Sequence, residues 1–310
     1  SSSFRAFARL AWGEEIRKSA LHAAIKRLTA ETWATINRLL IEYAREKKIE
    51  DGRTVRSDST VVASHIHYPH DSGLLCDGIR VVTRLLTKLT ALVPAAGGIF
   101  TDHVRRAKRR HLKIVNARKE KERRSAYRDL VKVAEKTFGY GQRWLERSQG
   151  QDLSPQATAS ALQLREYVDA LGVVIDQTRR RVFNREDVPA EEKLVSLFEP
   201  HTAVIVKDQR EVQFGHKIFL TGGKSALILD CVVTEDNPSD SGMTTDLISR
   251  YRELYGITPR QASYDGGFAS QDNLWALKEM GVQDVAFAKK RGLKIEAMTR
   301  SAWVFKKLRN

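Results

Sequence analysis

The sequence predicts an α/β protein whose core is interrupted by a long helical block. Three observations lead there. A β-branched run over 53–63 is bounded by the turn signal Asp51-Gly52. From about Asp77 to Asn184 the chain keeps a helical pattern with no convincing strand. Over 199–310 strand-like and helix-like runs alternate, which implies a layered core with right-handed crossovers.

In chain order, residues 4–50 read as helices. Leu21, Ile25, Leu28, Ile36, Leu39 and Leu40 form an amphipathic stripe, and Thr29 or Thr32 is the cap of a second helix. This module (1–50) fits a small helical bundle or a DNA-binding element. In the strand over 53–63, Val55, Ser57, Ser59 and Val61 share one face; Thr54, Arg56, Asp58, Thr60 and Val62 share the other. Asp58 is expected inside the strand in apolar surroundings, where a carboxylate is costly unless paired or bound to a cation. The first core segment is 51–76, and a basic helical insertion occupies 77–195. There, Ile79 to Leu92 forms one helix, 103–138 one long polar helix, and Pro155 opens another running to about Phe183. The rest of the core, 196–310, starts with two strands around Thr221-Gly222-Gly223-Lys224. It continues with a helix from Thr244 to Tyr255, a strand into Tyr264-Asp265-Gly266-Gly267, a helix from Gln271 to Met280, and a strand from Val285 to Ala288.

Composition narrows the function. The 310 residues carry a formal charge of +15, which favours a polyanionic partner, nucleic acid first. The longest uncharged apolar stretch, Ala91 to Phe100, is interrupted by Pro94 and two glycines, so a membrane span is not expected; an acidic membrane ranks second to nucleic acid on charge, and no membrane is among the expected partners. Cys76 and Cys231 stand far apart, which argues against a disulfide scaffold and fits a reducing compartment. Between His103 and Arg128 stand twelve basic and two acidic residues, a surplus of ten. Arg105, Arg106, Lys108, Arg109, Arg110, Lys113, Arg118, Lys119, Arg123 and Arg124 are the candidate DNA-binding residues, with cations on every turn and all faces.

Several motifs compete for the chemistry. Gly222-Gly223-Lys224-Ser225 mimics the end of a phosphate-binding loop. Ile218 stands where that loop needs its first glycine, so nucleotide binding is not expected. His65, His67, His70 and Asp71 are dense enough to suggest zinc but lie in a Pro69-containing loop, and a polar loop is the preferred reading. Asp230 reads as an edge or surface residue, and Asp240 as a helix cap. Asp265 ends a strand before two glycines, where ligands gather in open α/β sheets. Paired with Asp58 it suits Mg²⁺, a hard cation that prefers oxygen, and two such ions would assist in-line attack on a phosphodiester.

The run Asp58-Ser59-Thr60-Val61-Val62 with His67-Tyr68-Pro69-His70-Asp71-Ser72 resembles the first block of DDE-type transposases of bacterial insertion sequences. Gln177-Thr178-Arg179-Arg180-Arg181-Val182, Ser196-Leu197-Phe198-Glu199-Pro200-His201, Phe214-Gly215-His216-Lys217 and Asp265-Gly266-Gly267-Phe268-Ala269-Ser270 resemble later blocks in the same order. The resemblance implies an RNase H-like core and Mg²⁺-dependent cleavage and strand transfer of DNA; the alternatives are a catalytically inactive DNA-binding remnant or a structure-selective nuclease on the same core. Asp58 and Asp265 would be catalytic metal ligands for two Mg²⁺ ions, with Mn²⁺ able to substitute. It further implies terminal inverted repeats and target DNA as partners, a homodimer or higher oligomer on DNA, and a bacterial cytoplasmic, nucleoid-associated location. The family's third acid is a glutamate on a helix after the last strand. Trp303 to Asn310 resembles the stretch just before that block, which places this acid beyond Asn310 and the core's end before its last helix. Glu296 does not match the motif's context, and Gly266 stands where the family usually has a basic residue.

Overall fold

A computed structural model of the chain describes residues 9, 11, 15–206, 212–225, 227–289 and 292–309. The architecture is mixed α/β. Six strands form one sheet in the order β2-β3-β1-β5-β6, with β4 also paired to β3. The chain divides into two units. An α/β unit holds 1–59, 219–232 and 239–310; a helical unit holds 60–218 and 233–238. The division falls within β1 (Thr54–Ala63) and within β3 (Gln213–Gly222), so both strands carry the chain from one unit to the other.

Among the described residues, the first helices of the α/β unit are α1 (Lys18–Ile25) and α2 (Ala30–Glu46); positions 4–8, 10 and 12–14 of the predicted helical stretch lie outside the described residues. Thr29 is the cap of α2: its Oγ1 accepts from the Thr32 amide at 3.2 Å, which satisfies one of the free N–H groups of the first turn. Ile41 of α2 joins the core of the unit, and Asn37 donates to the Leu229 carbonyl on β4 (Ile228–Val233). The first half of β1 pairs in parallel with β5 (Gln261–Tyr264), and β5 pairs in parallel with β6 (Asp284–Phe287). All of β6 is buried, as a parallel strand covered on both faces should be. Val55, Phe219, Ala262 and Val285 from the strands pack with Leu247, Ile248 and Tyr251 of α7 (Thr244–Tyr255), and with Leu274 and Leu277 of α8 (Gln271–Glu279). Helix α7 stops at Gly256, whose φ of +68° is the left-handed terminus that glycine adopts without a Cβ clash. After β6 come α9 (Ile295–Met298) and α10 (Ala302–Arg309), which buries Phe305 and Leu308.

The helical unit is built from α3 (Asp71–Leu92), α4 (Val104–Asn116), α5 (Glu120–Arg147) and α6 (Pro155–Thr178). Leu75, Ile79, Leu86, Leu130, Leu164 and Leu171 lie at its centre. Helices α3 and α6 approach closely at Gly78, where a Cβ would stand 2.7 Å from the Leu171 side chain. Helix α6 starts as its sequence dictates, with Ser154 Oγ accepting from the Ala157 amide and Pro155 in the first turn. It ends in a π turn over Arg179–Asn184. Short β2 (Ala203–Ile205) pairs antiparallel with the start of β3.

Two helix boundaries correct the sequence expectations. Helix α3 begins at Asp71 rather than Ile79. The predicted single helix over 103–138 is two helices, and the second runs on to Arg147. The break falls at Ala117, whose backbone is extended (φ −69°, ψ 121°). Arg123 Nη2 donates to the Ala117 carbonyl, and Asn116 Nδ2 to the Leu112 carbonyl, so side chains bond the backbone at this junction without a glycine that would have announced it.

Candidate active site

Asp58 and Asp265 are brought together by strand register. Along β1 and β5, Thr54 stands beside Gln261, Val55 beside Ala262, Arg56 beside Ser263 and Ser57 beside Tyr264. One further step along both strands sets Asp58 beside Asp265, immediately after Tyr264 ends β5. Partners in a parallel pair face the same side, so Arg56, Asp58, Ser263 and Asp265 share one face at the carboxyl ends of two strands about 4.8 Å apart. They line one open cavity of about 360 Å³ with Ser57, Tyr264, Ala288 and Arg309.

The expectation of apolar surroundings for Asp58 is not met. The alternation on β1 is as predicted, with Val55, Ser57 and Ser59 buried, but the face of Arg56, Asp58 and Thr60 is exposed. Asp265 is exposed too. Both carboxylates therefore remain hydrated, and Asp58 Oδ1 also accepts from the Ser59 amide at 2.7 Å. Tyr264, paired with Ser57 one step before the two acids, turns into the core against Phe268 and Phe287. Burial pushes its phenol far above the usual range, which favours the neutral form.

Gly266, after Asp265, has a steric reason. A Cβ there would lie 2.7 to 3.0 Å from Cβ, Cγ and Cδ of Lys289, so the lysine stem crosses the glycine. Helix α10 closes another edge of the cavity: Ser263 Oγ donates to the Leu308 carbonyl at 2.7 Å, which sets Arg309 at the cavity wall. Arg56, Lys289 and Arg309 were not singled out in the sequence. For Arg56 the signal was present, because it lies two positions from Asp58 on a period-two strand.

Other acidic candidates are engaged elsewhere. Asp230 is buried, not a surface residue, and Arg250 grips it through Nε and Nη2 at 2.7 and 2.9 Å. Asp240 makes no side-chain cap; its carboxylate lies against Gly267, while its carbonyl accepts from the Met243 amide. Glu296 is exposed on α9 and does not line the cavity. Among the described residues no group of three or more His, Cys, Asp or Glu side chains is placed to hold a metal, the His65–His70 loop included. Two hydrated carboxylates nevertheless suit Mg²⁺, which commonly takes one or two protein carboxylates and fills its shell with water and substrate phosphate.

The hairpin turn that imitates a phosphate loop is filled from within. Glu50, buried, accepts from the Lys224 and Ser225 amides at 3.1 and 2.7 Å, and Lys224 Nζ pairs with Asp51 at 3.0 Å. The amides a phosphate would need are already bonded.

The basic helices are not charged on all faces for solvent. Ala107 and Ile114 bury one side of α4. Arg106 and Arg110 both bind Asp129, and their hydrogen bonds hold its carboxyl below the usual range. Arg124 donates to the Phe183 carbonyl, and Arg123 to the Ala117 carbonyl with Glu120 nearby. Arg105, Lys108, Arg109 and Lys113 of α4 are exposed on the side away from Ala107, and Arg118 and Lys119 are exposed in the connection to α5. None of these six is in an ion pair with the described acids.

No protein family profile, curated protein or solved structure matches this chain. Among the described residues no helix is long and apolar enough to cross a membrane.

Proposed function

We propose that the chain is a DDE-type transposase that cleaves DNA at insertion-sequence ends and joins them to a target, on an RNase H-like core. The observation that carries this reading is the shared cavity of Asp58 and Asp265 at the carboxyl ends of parallel neighbours β1 and β5. The run of parallel strands β1, β5 and β6, with a hairpin on the other side of β1, supports the core assignment. Asp58 and Asp265 supply hard oxygen ligands. Bound Mg²⁺ supplies Lewis-acid stabilisation of charge on the attacking and leaving oxygens. The chain's own part is to fix the two carboxylates on rigid strands and leave them open to solvent and to a DNA strand. The exposed cations of α4 and its connection to α5 hold the phosphate backbone, which adds affinity without sequence discrimination. A homodimer or higher oligomer on DNA, in the bacterial cytoplasm, belongs to the same reading.

The experiment is Asp58→Asn in the full chain, followed by nicking of supercoiled plasmid with Mg²⁺ or Mn²⁺. Loss of metal-dependent nicking with DNA binding retained is expected; nicking that survives defeats the metal role. A second reading, a DNA-binding remnant without cleavage, is favoured by one observation. Among the described residues no third carboxylate lines the cavity. It predicts binding by the wild-type chain with no nicking.

A further inference from the structure

We propose that Arg56 and Arg309 form a phosphodiester clamp that seats a DNA strand against Asp58 and Asp265; this rests on the reading of the cavity as the DNA-cleaving site. Arg56 stands two residues before Asp58 on the same exposed strand face, about 6.6 Å along the strand. Its register partner Ser263 donates to the Leu308 carbonyl, which anchors the residue before Arg309. Both arginines and both aspartates line the one cavity. Opposite charges this close would normally neutralise one another. Yet among the described residues no ion pair joins either arginine to either aspartate, and Asp58 instead accepts from the backbone. The cavity therefore presents two arginines without an ion pair and two carboxylates that no described cation neutralises.

That division of labour suits a phosphodiester. Its two non-bridging oxygens match the planar fork of guanidinium, which binds them with paired N–H donors. The carboxylates repel the same phosphate until a cation stands between them. The arginines thus offset that repulsion and fix which way the phosphate faces. They act in binding and positioning, and no bond is made or broken at them.

The test measures binding of a fluorescent duplex oligonucleotide to the full chain over a range of salt, first in EDTA. Removing both arginines (Arg56→Ala with Arg309→Ala) should weaken binding and reduce the slope of log K against log salt by about 0.9 per lost phosphate contact. Asp58→Asn should tighten binding in EDTA in the wild-type background and not in the background lacking the arginines. Arg56→Lys with Arg309→Lys should keep most of the slope. Both side chains are exposed, so melting temperatures should stay near the wild-type value. An unchanged slope, or an equal effect of Asp58→Asn in both backgrounds, overturns the clamp even if Asp58→Asn abolishes nicking. Conversely, a reduced slope with nicking intact in Asp58→Asn keeps the clamp and defeats the metal reading.

Discussion

Removing the Asp71 carboxylate should loosen the helical unit. Asp71 opens α3 and is only 6% exposed. Arg181 Nη1 donates to both its oxygens at 3.0 Å, and Gln177 Nε2 donates to Oδ1 at 3.0 Å. Gln177 also receives the Leu194 amide and donates to the Leu194 carbonyl, so one carboxylate ties α3, the end of α6 and the segment after it. A hydrogen bond to a charged group contributes about 1.5–3 kcal/mol, and breaking a fully buried pair costs about 3–5 kcal/mol. Arg181 is 41% exposed and can rehydrate, which favours the lower range. For Asp71→Ala we expect about 2 kcal/mol, or roughly 4–8 °C in melting temperature for a unit of this size. The check is thermal melting of Asp71→Ala, Arg181→Met and the double variant. Coupling between the two sites should exceed about 0.5 kcal/mol. Additive effects would refute the network. So would an Asp71→Ala protein that melts like wild type but no longer cleaves DNA, which would give Asp71 a catalytic part.

Two further predictions test the site and the acid side of stability. Gly266→Ala should push the Lys289 stem and cost about 1–3 kcal/mol, read by denaturant titration, because the clash is with the root of that side chain and not its mobile end. The hydrogen bond from Arg106, then that from Arg110, hold Asp129 below its usual range, so the stability it contributes is present above its unfolded value near pH ~4 and is lost as pH falls through the lower folded value. Melting temperature against pH should therefore fall less steeply below pH ~4 in Asp129→Asn than in wild type, and parallel curves would remove the linkage.

Much of the α/β unit was legible because its signals are local. The turn before β1, the glycine after α7 and the strand–glycine junction at Asp265 each fix an element within a few residues. The neighbourhood of Asp58 and Asp265 could be suspected from strand ends and resemblance, but register is a tertiary fact. It depends on β1 finding β5 across 207 positions of chain, from Thr54 to Gln261. The exposure of Asp58 was misread because alternation says which residues share a face, not which face is covered. The break between α4 and α5 was hidden since nearby arginine and asparagine side chains, not a glycine or proline, mark the helix end. The roles of Asp71, Gln177 and Arg181 show the same limit. Blocks that resemble a transposase signature include residues whose visible work is to hold helices together, and sequence spacing does not separate scaffold from site.

The charge distribution leads to the sharpest expectation about DNA. Ten basic residues in 105–124 are candidates for phosphate contact by sequence, yet Arg106, Arg110, Arg123 and Arg124 already spend their guanidinium donors on Asp129, on Glu120 and on carbonyl groups. Releasing counterions requires a free cation facing the duplex. If all ten acted, the slope of log K against log salt from this region would approach about −9; with six it is about −5. Alanine at Arg105, Lys108, Arg109 or Lys113 should each lower its magnitude by about 0.9 and leave the melting temperature unchanged. Alanine at Arg106 or Arg110 should do the reverse, shifting stability more than slope, since it exposes Asp129. Equal slope changes at Arg106 and Arg109 would mean that the pairs with Asp129 open on DNA, and that the sequence count of ten was the better guide.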